Sequence, residues 1–389
     1  MYVNIFRALM SKLEKRSASM SLSNMLGIPA SGISPESAMR LTSVFACVRV
    51  LAETVAGLPL QLFRKTSTGK DIANDHYLFS ILHDSPNDIQ TAFEFRETII
   101  GHLCLRGNAY VYKEVTNSGK VKSLFPLNPA RMRAEVTSMG MKYTYTDTNG
   151  KVETIPPEYI WHLRGFGTDG YVGLSPISMA ARSINIGLSA ENMEEKFLSN
   201  YGRMGNAIKY PGRLNPQQRQ DLLDSWKKNI TGDNAYSLSL LEGGAEFQNV
   251  GISNTDAQFM ELRNFQVEDI ARVFRVPCIL IGHSNNTSTY ASAEQFMLSF
   301  ITHTILPYCV RIEQSISKNL ISSSERGIIY PQHNLEGLIR GNIESRYRAY
   351  AIGVAGTWLS PNEVRAREDM NPRDGGDMYQ NPNITIKGA

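Results

Sequence analysis

The sequence lacks the charge surplus of a protein that grips DNA. Its 40 Lys and Arg face 37 Asp and Glu, a net charge of +3 over 389 residues. Tight duplex binding concentrates cations on one face, because its affinity comes from neutralising phosphates. Near-balance argues against static binding and leaves DNA free to slide past. Nor is there a basic run interleaved with aromatics, despite 17 Tyr and 15 Phe, so base stacking on a single strand has no support. The four cysteines, Cys47, Cys104, Cys278 and Cys309, form no CxxC pair. They read as reduced, buried small hydrophobes of a cytosolic compartment, and a disulfide framework or zinc site is not expected.

Long apolar runs are missing too. The longest, residues 296–310, carries His303 and Pro307 and falls short of the ~20 residues of a membrane span. It reads as a buried helix, and no membrane partner is expected. Residues 1–16 are interrupted by Arg7 and offer no cleavage site, so no secretory signal is expected. Residues 1–36 read as a loosely held arm, with an amphipathic membrane helix over 2–13 as the weaker reading. Catalytic signatures are absent as well: no GxxxxGK[ST], GxGxxG, HExxH or GxSxG occurs. His76 and His83 have no third ligand nearby. Asp369, Asp374 and Asp377 around Gly375-Gly376 read as solvated turn acids, and Glu194-Glu195 as a solvent-facing or inter-subunit charge pair. No catalytic residue, metal site or cofactor is expected. An enzyme with a scattered site stays the second alternative, since triads need not be contiguous.

What is present is an ordinary soluble composition, 42% hydrophobic and 20% charged, long enough for two or three domains of about 150 residues each. Helical periodicity sets Leu41, Val44, Phe45, Val48, Leu51 and Val55 on one face of a helix over 37–56, ended by Gly57 and Pro59. A strand follows at 60–64, then helices at 76–83 and 92–105 separated by the turn Ser85-Pro86-Asn87. Alternation predicts strands at 109–115 and 121–127 about Asn117-Ser118-Gly119, and at 131–136, 142–146 and 151–155. Residues 37–170 thus read as one α+β domain.

Ser175-Pro176 is N-cap and first-turn chemistry and opens a helix of more than twenty residues, reaching Gly202. A small insert comes next. It has a strand at 207–210 and a helix capped by Asn215-Pro216 that carries Leu222, Leu223, Trp226 and Ile230. A hairpin pairing 236–241 with 246–250 about Gly243-Gly244 completes it. Thr255-x-x-Gln258 fits a capping box and starts a second long helix that ends before Val276-Pro277. A helix of ~20 residues spans ~30 Å, so two of them can hold the insert away from the body. After a polar, uncharged loop, a helix over 291–320 should kink at Pro307. A helix over 336–354, a break at Gly356 and a short helix from Ser360-Pro361 close the pattern.

One ordered series of segments now stands out. Ala46-Cys47-Val48-Arg49-Val50-Leu51-Ala52-Glu53-Thr54-Val55-Ala56-Gly57-Leu58-Pro59-Leu60 is similar to the opening helix and strand of HK97-like bacteriophage portal proteins. Leu82-His83-Asp84-Ser85-Pro86-Asn87, Gly107-Asn108-Ala109-Tyr110, Gly173-Leu174-Ser175-Pro176 and Leu241-Glu242-Gly243-Gly244 resemble further landmarks of that family. So do Ile270-Ala271-Arg272-Val273-Phe274-Arg275-Val276-Pro277 and Leu359-Ser360-Pro361-Asn362-Glu363-Val364-Arg365 with Gly375-Gly376-Asp377. The resemblance runs from about residue 37 to 380.

It implies a structural subunit, and no enzyme, in a homo-oligomeric ring of typically twelve copies at one capsid vertex. The implied parts are an arm (1–36), an α+β wing (37–174), stem helices (175–202 and 253–276) and a small αβ clip between them (203–252). A tunnel loop with the long kinked wing helix (277–334) and a helical crown with tail (335–389) complete the set. A short C-terminal region implies a reduced crown. Double-stranded DNA would pass non-specifically along Ser284, Asn285, Asn286, Thr287, Ser288, Thr289 and Tyr290. The packaging terminase's large subunit and the head–tail connector would dock on Arg213, Arg219, Trp226, Lys227, Lys228 and Glu242 of the clip. Capsid and scaffold proteins would be further partners, in the virion and, during assembly, in the host cytoplasm. The first alternative is another ring-forming virion protein, such as a head–tail adaptor or capsid component.

Overall fold

Proline, glycine and short polar caps set most element boundaries in the computed structural model. It describes residues 33–379 apart from 68, 139, 200–205, 231–243, 245, 250–254, 284–289, 336–337, 339–342 and 369. In chain order the elements begin with α1 (Pro35–Ala38), α2 (Thr42–Ala56), β1 (Leu60–Lys65), β2 (Lys70–Ile72), α3 (Tyr77–His83) and α4 (Ala92–Arg106). Strands β3 (Asn108–Val115), β4 (Val121–Leu127), β5 (Met132–Thr137), β6 (Gly140–Thr146), β7 (Val152–Ile155) and β8 (Ile160–Arg164) follow. Then come α5 (Pro176–Met179), α6 (Ala181–Ser199), β9 (Asn206–Lys209), α7 (Pro216–Ile230), β10 (Glu246–Asn249) and α8 (Thr255–Phe274). The last are α9 (Tyr290–Phe300), a π-helical turn (Ile301–Ile305), α10 (Leu306–Asn319), β11 (Ile329–His333), α11 (Ile343–Ala355) and α12 (Pro361–Arg367). The fold is mixed helix and sheet, and the chain divides into two compact units.

The first unit comprises Met1–Ala52, Thr98–Tyr112 and Pro126–His283. The helix expected over 37–56 is two helices. Ser34 caps α1, Pro35 stands in its first turn, and a turn at Met39–Leu41 precedes α2. The expected apolar face is buried except for Phe45, which lies at the edge of the stripe and stays 47% exposed, while Cys47 and Ala52 join the core. Strands β5, β6 and β7 form an antiparallel sheet. One of its faces packs Met132, Ala134, Met141 and Ile155 on Tyr110, Tyr143 and Ile160. β8 pairs antiparallel with β3, Ala109 opposite Leu163. The sequence pattern had not marked β8 as a strand.

The second unit comprises Glu53–Glu97, Lys113–Phe125 and Ser284–Ala389. Its sheet has the order β11-β1-β2, with Leu62 opposite Pro331. β2 and β11 were not expected from the sequence. Pro331 is tolerated because β11 is an edge strand, where a missing donor breaks no inner ladder. Arg96 is buried and donates to the Ala56 carbonyl at 2.8 and 3.1 Å and to the Leu82 carbonyl at 3.1 Å. It thereby satisfies the C-terminal ends of α2 and α3, where orphan carbonyls and the helix dipole favour a cation.

The rod expected over 291–320 is present, but its irregularity is a π-turn rather than a simple proline kink. Pro307 falls in the first turn of α10, where its missing N–H is tolerated. Near the C-terminus, Ser360 and Glu363 close a capping box on α12. Asn362 donates to the Arg373 carbonyl and to Asp377, both at 3.0 Å, and accepts from the Arg373 N–H at 2.9 Å. That side chain is why Leu359–Arg365 and Gly375–Asp377 belong to one local structure. α11 begins at Ile343, and residues 336–342 of the expected helix lie almost wholly outside the described part.

The cysteines are free; Cys47, Cys104 and Cys309 are buried and Cys278 half-buried. Burial pushes the Cys47 and Cys309 thiols up to about 12, so they pack as inert hydrophobes. No helix among the described residues is long and apolar enough to cross a membrane.

Candidate functional site

The two long helices and the insert between them all fall in the first unit, where α5 and α6 spring from a tightly built mount. Ser175 caps α5 by accepting from the Ser178 N–H at 3.2 Å, and its hydroxyl donates to the Leu105 carbonyl at 2.8 Å. Three glycines meet just before it. A Cβ on Gly173 would stand 2.0 Å from the Gly107 carbonyl oxygen, and one on Gly165 would stand 2.8 Å from the same atom. Only glycine permits this approach.

Asn108 locks the knot. Its Nδ2 donates to the Gly173 carbonyl at 2.7 Å, and its Oδ1 accepts from the Gly173 N–H at 2.8 Å. The backbone partners fix which way the amide points, so Oδ1 must also accept from His162 Nε2, 2.9 Å away. His162 Nδ1 is then an acceptor for the Tyr143 hydroxyl at 3.3 Å and Arg164 Nε at 3.4 Å. Burial, and secondarily the Arg164 charge, push the His162 pKa down to about 3. The ring is a neutral structural strut, stacked on Tyr110 at 4.4 Å.

The expected single helix over 175–202 breaks at Ala180 and resumes as α6. α6 and α8 run antiparallel and meet along a seam. Ser183 donates to Asp269 at 2.5 Å, Gln266 reaches across Gly187 to the Ser183 carbonyl at 3.4 Å, and Glu194 pairs with Arg263. Glu194, expected to face solvent or a neighbouring subunit, thus pairs within the chain. Arg272 pairs with Glu268 and Asp269 on its own helix. Both arginines of α8 are thus paired with carboxylates of the helix pair.

Beside the seam lies an apolar surface without cover. Ile186 and Met193, seven residues apart, share one side of α6, and Leu262 and Phe265 face out from α8. Ile186 is 46% and Phe265 56% exposed. With antiparallel helices these sets fall on the same flank of the seam, so they form one two-helix face. Such faces mark interaction sites in soluble proteins.

In the insert, Asn215 caps α7 by accepting from the Gln218 N–H at 2.8 Å. β10 pairs with β9, Phe247 opposite Ile208; the expected partner strand at 236–241 lies outside the described residues. Of the expected docking residues, Arg213 and Arg219 are exposed. Trp226, Lys227 and Lys228 lie on α7, and Glu242 is outside the described residues. Ser284, Asn285, Asn286, Thr287, Ser288 and Thr289 are outside them too, and Tyr290 opens α9.

Chemistry elsewhere is structural. His76 caps α3 by accepting from the Leu78 N–H at 3.2 Å, and His83 stacks on Phe79 at 5.0 Å. Among the described residues, no group of three or more His, Cys, Asp or Glu is arranged to hold a metal ion.

The family profile described as "Phage portal protein" matches residues 42–369. The portal protein of Enterobacteria phage HK97 is 33% identical over 353 residues, covering 90% of this chain and 83% of that one. A chain in the neck of a native gene transfer agent particle, computed with C12 symmetry, superposes with a TM-score of 0.59 at 26% identity. That match covers 91% of this chain and all of the other. An HK97-family phage portal protein from Corynebacterium diphtheriae shares the fold, with a TM-score of 0.60 at 15% identity over 78% of this chain and 97% of that one.

Proposed function

The chain belongs to the phage portal protein family, and on that premise we propose that it is a structural subunit of a homo-oligomeric ring at a unique capsid vertex. The uncovered face on α6 and α8 carries this reading. A surface of that kind, repeated around an axis and met head to tail by a different surface of the next copy, closes a ring. The C12 symmetry of the related neck supports twelve copies.

Within that ring, residues 37–174 serve as the wing, 175–202 and 253–276 as the stem, 203–252 as the clip and 335–389 as the crown. Double-stranded DNA passes through during packaging and ejection, along Ser284–Tyr290. A conduit should hold phosphates weakly, since each Lys or Arg contact adds salt-dependent affinity and hence friction. A loop of Ser, Asn and Thr, and a helix pair whose α8 arginines are paired with carboxylates, meet that need. The clip, through Arg213, Arg219, Trp226, Lys227, Lys228 and Glu242, receives the terminase large subunit and later the head–tail connector. Capsid and scaffold proteins surround the ring in the virion, after assembly in the host cytoplasm. The role is mechanical rather than catalytic.

Replacing Ile186 and Phe265 with Asp tests this. The double variant should keep its secondary structure and melting temperature within a few degrees, and sediment as monomer. An intact ring in that variant would refute the use of this face.

A further inference from the structure

Residues 290–319 form one helical rod with a widened turn inside it. At Ile301–Ile305 the backbone is π-helical, and the Leu306 N–H donates to the Ile301 carbonyl, five residues back instead of four. Pro307 follows at once. Having no N–H, it leaves one upstream carbonyl without a helical donor whichever register the turn takes. Its ring also clashes with the carbonyl four residues back in a regular α-helix, which disfavours the α register here. π-turns are rare and concentrate at functional positions.

The two sides of this turn are packed differently. Phe300, Ile301, Thr304 and Ile305 are buried, as are Cys309, Ile312 and Ile316 further along. Upstream, Gln295, Phe296, Met297, Leu298 and Ser299 are all exposed. Five consecutive residues at about 100° each sweep a full circumference. No face of residues 295–299 is therefore held against the chain's own core, and Phe300 at the junction is the buried side chain that turning them would move.

We propose that the π-turn is a register switch. Absorbing or returning its extra residue moves α9 along its axis by about 1.5 Å and rotates it by about 100°. α10 stays seated through Cys309, Ile312 and Ile316. Backbone hydrogen bonds of the turn are exchanged, and Phe300 and Ile301 repack beside it. The switch does not rest on the portal reading.

Amide hydrogen exchange on the full-length protein tests the switch, with two variants for comparison. Deleting Thr302 removes the extra residue, and Pro307→Ala restores the missing donor. In the native protein the amides of α9 should exchange faster than those of α10. In either variant they should slow by about ten-fold or more. Equal α9 exchange in native protein and variants would mean a static turn and would overturn the proposal. If the deletion does not fold, the Pro307→Ala comparison decides alone. Failure to form a ring would leave this result untouched, so the two readings fall separately.

Discussion

Gln266 Nε2 stands 1.4 Å from the point a Cβ on Gly187 would occupy, so the amide on α8 fills the notch that a missing side chain leaves in α6. Leu41 closes the same notch, with Cδ2 at 3.0 Å. One methyl group at residue 187 therefore decides how closely the two long helices approach.

Gly187→Ala should cost about 1–3 kcal/mol, the range for overpacking a closed site. Gln266→Ala should restore part of that loss in the double variant, because the clash is with a movable side chain. Urea midpoints for the four proteins of the cycle read the coupling. Strict additivity would mean the helices do not meet here.

Asn108→Ala should cost about 3 kcal/mol or more, since it strands the Gly173 N–H, the Gly173 carbonyl and His162 Nε2 without their partner. Asn117→Ala, in an exposed turn, is the control and should be near neutral. The measurement is chemical unfolding of each variant, with loss of the α5–α6 mount seen as faster exchange at Ser178 and Met179.

Acid should loosen the first unit through two histidines. Burial lowers His162 to about 3 and His102 to about 4, against an ordinary value of 6.5. Both are neutral in the fold and bind protons more readily when unfolded. Their contribution is complete above about pH 6.5 and is lost as pH falls from there towards 4 and 3. Unfolding free energy measured from pH 7.5 to 4.5 should fall, and His162→Gln should flatten the slope. An unchanged slope in that variant would contradict the neutral assignment.

Much of this architecture was legible because its signals are local. Ser175-Pro176 and Ser360-Pro361 carry their capping chemistry within four residues and each opens a helix at the expected place, and α8 begins at Thr255 as expected. What escaped depends on distant partners. β8 reads Ile-Trp-His-Leu with no alternation because these residues are buried throughout, and β11 holds a proline that only its edge position excuses. Gly107, Gly165 and Gly173 lie far apart in the sequence, and their mutual approach is tertiary. The uncovered face is half visible in the sequence, since Leu262 and Met193 fall on the apolar stripes of their helices. A pattern that marks an apolar stripe cannot say whether the chain itself or another molecule covers it.

A lysine at the loop should act on transport alone. Replacing Asn286 and Ser288 with Lys adds two phosphate contacts per subunit and should impair DNA packaging while ring assembly stays intact. Packaging yield and particle images of the same preparation check both halves; undiminished packaging would count against a DNA-facing loop.

The central claim meets its most direct test in electron microscopy of the purified full-length protein. The account predicts closed rings with an open central channel and cyclic symmetry near twelve-fold, the symmetry of the related neck. Monomers or dimers without a channel, at concentrations where the chain is folded, would contradict it.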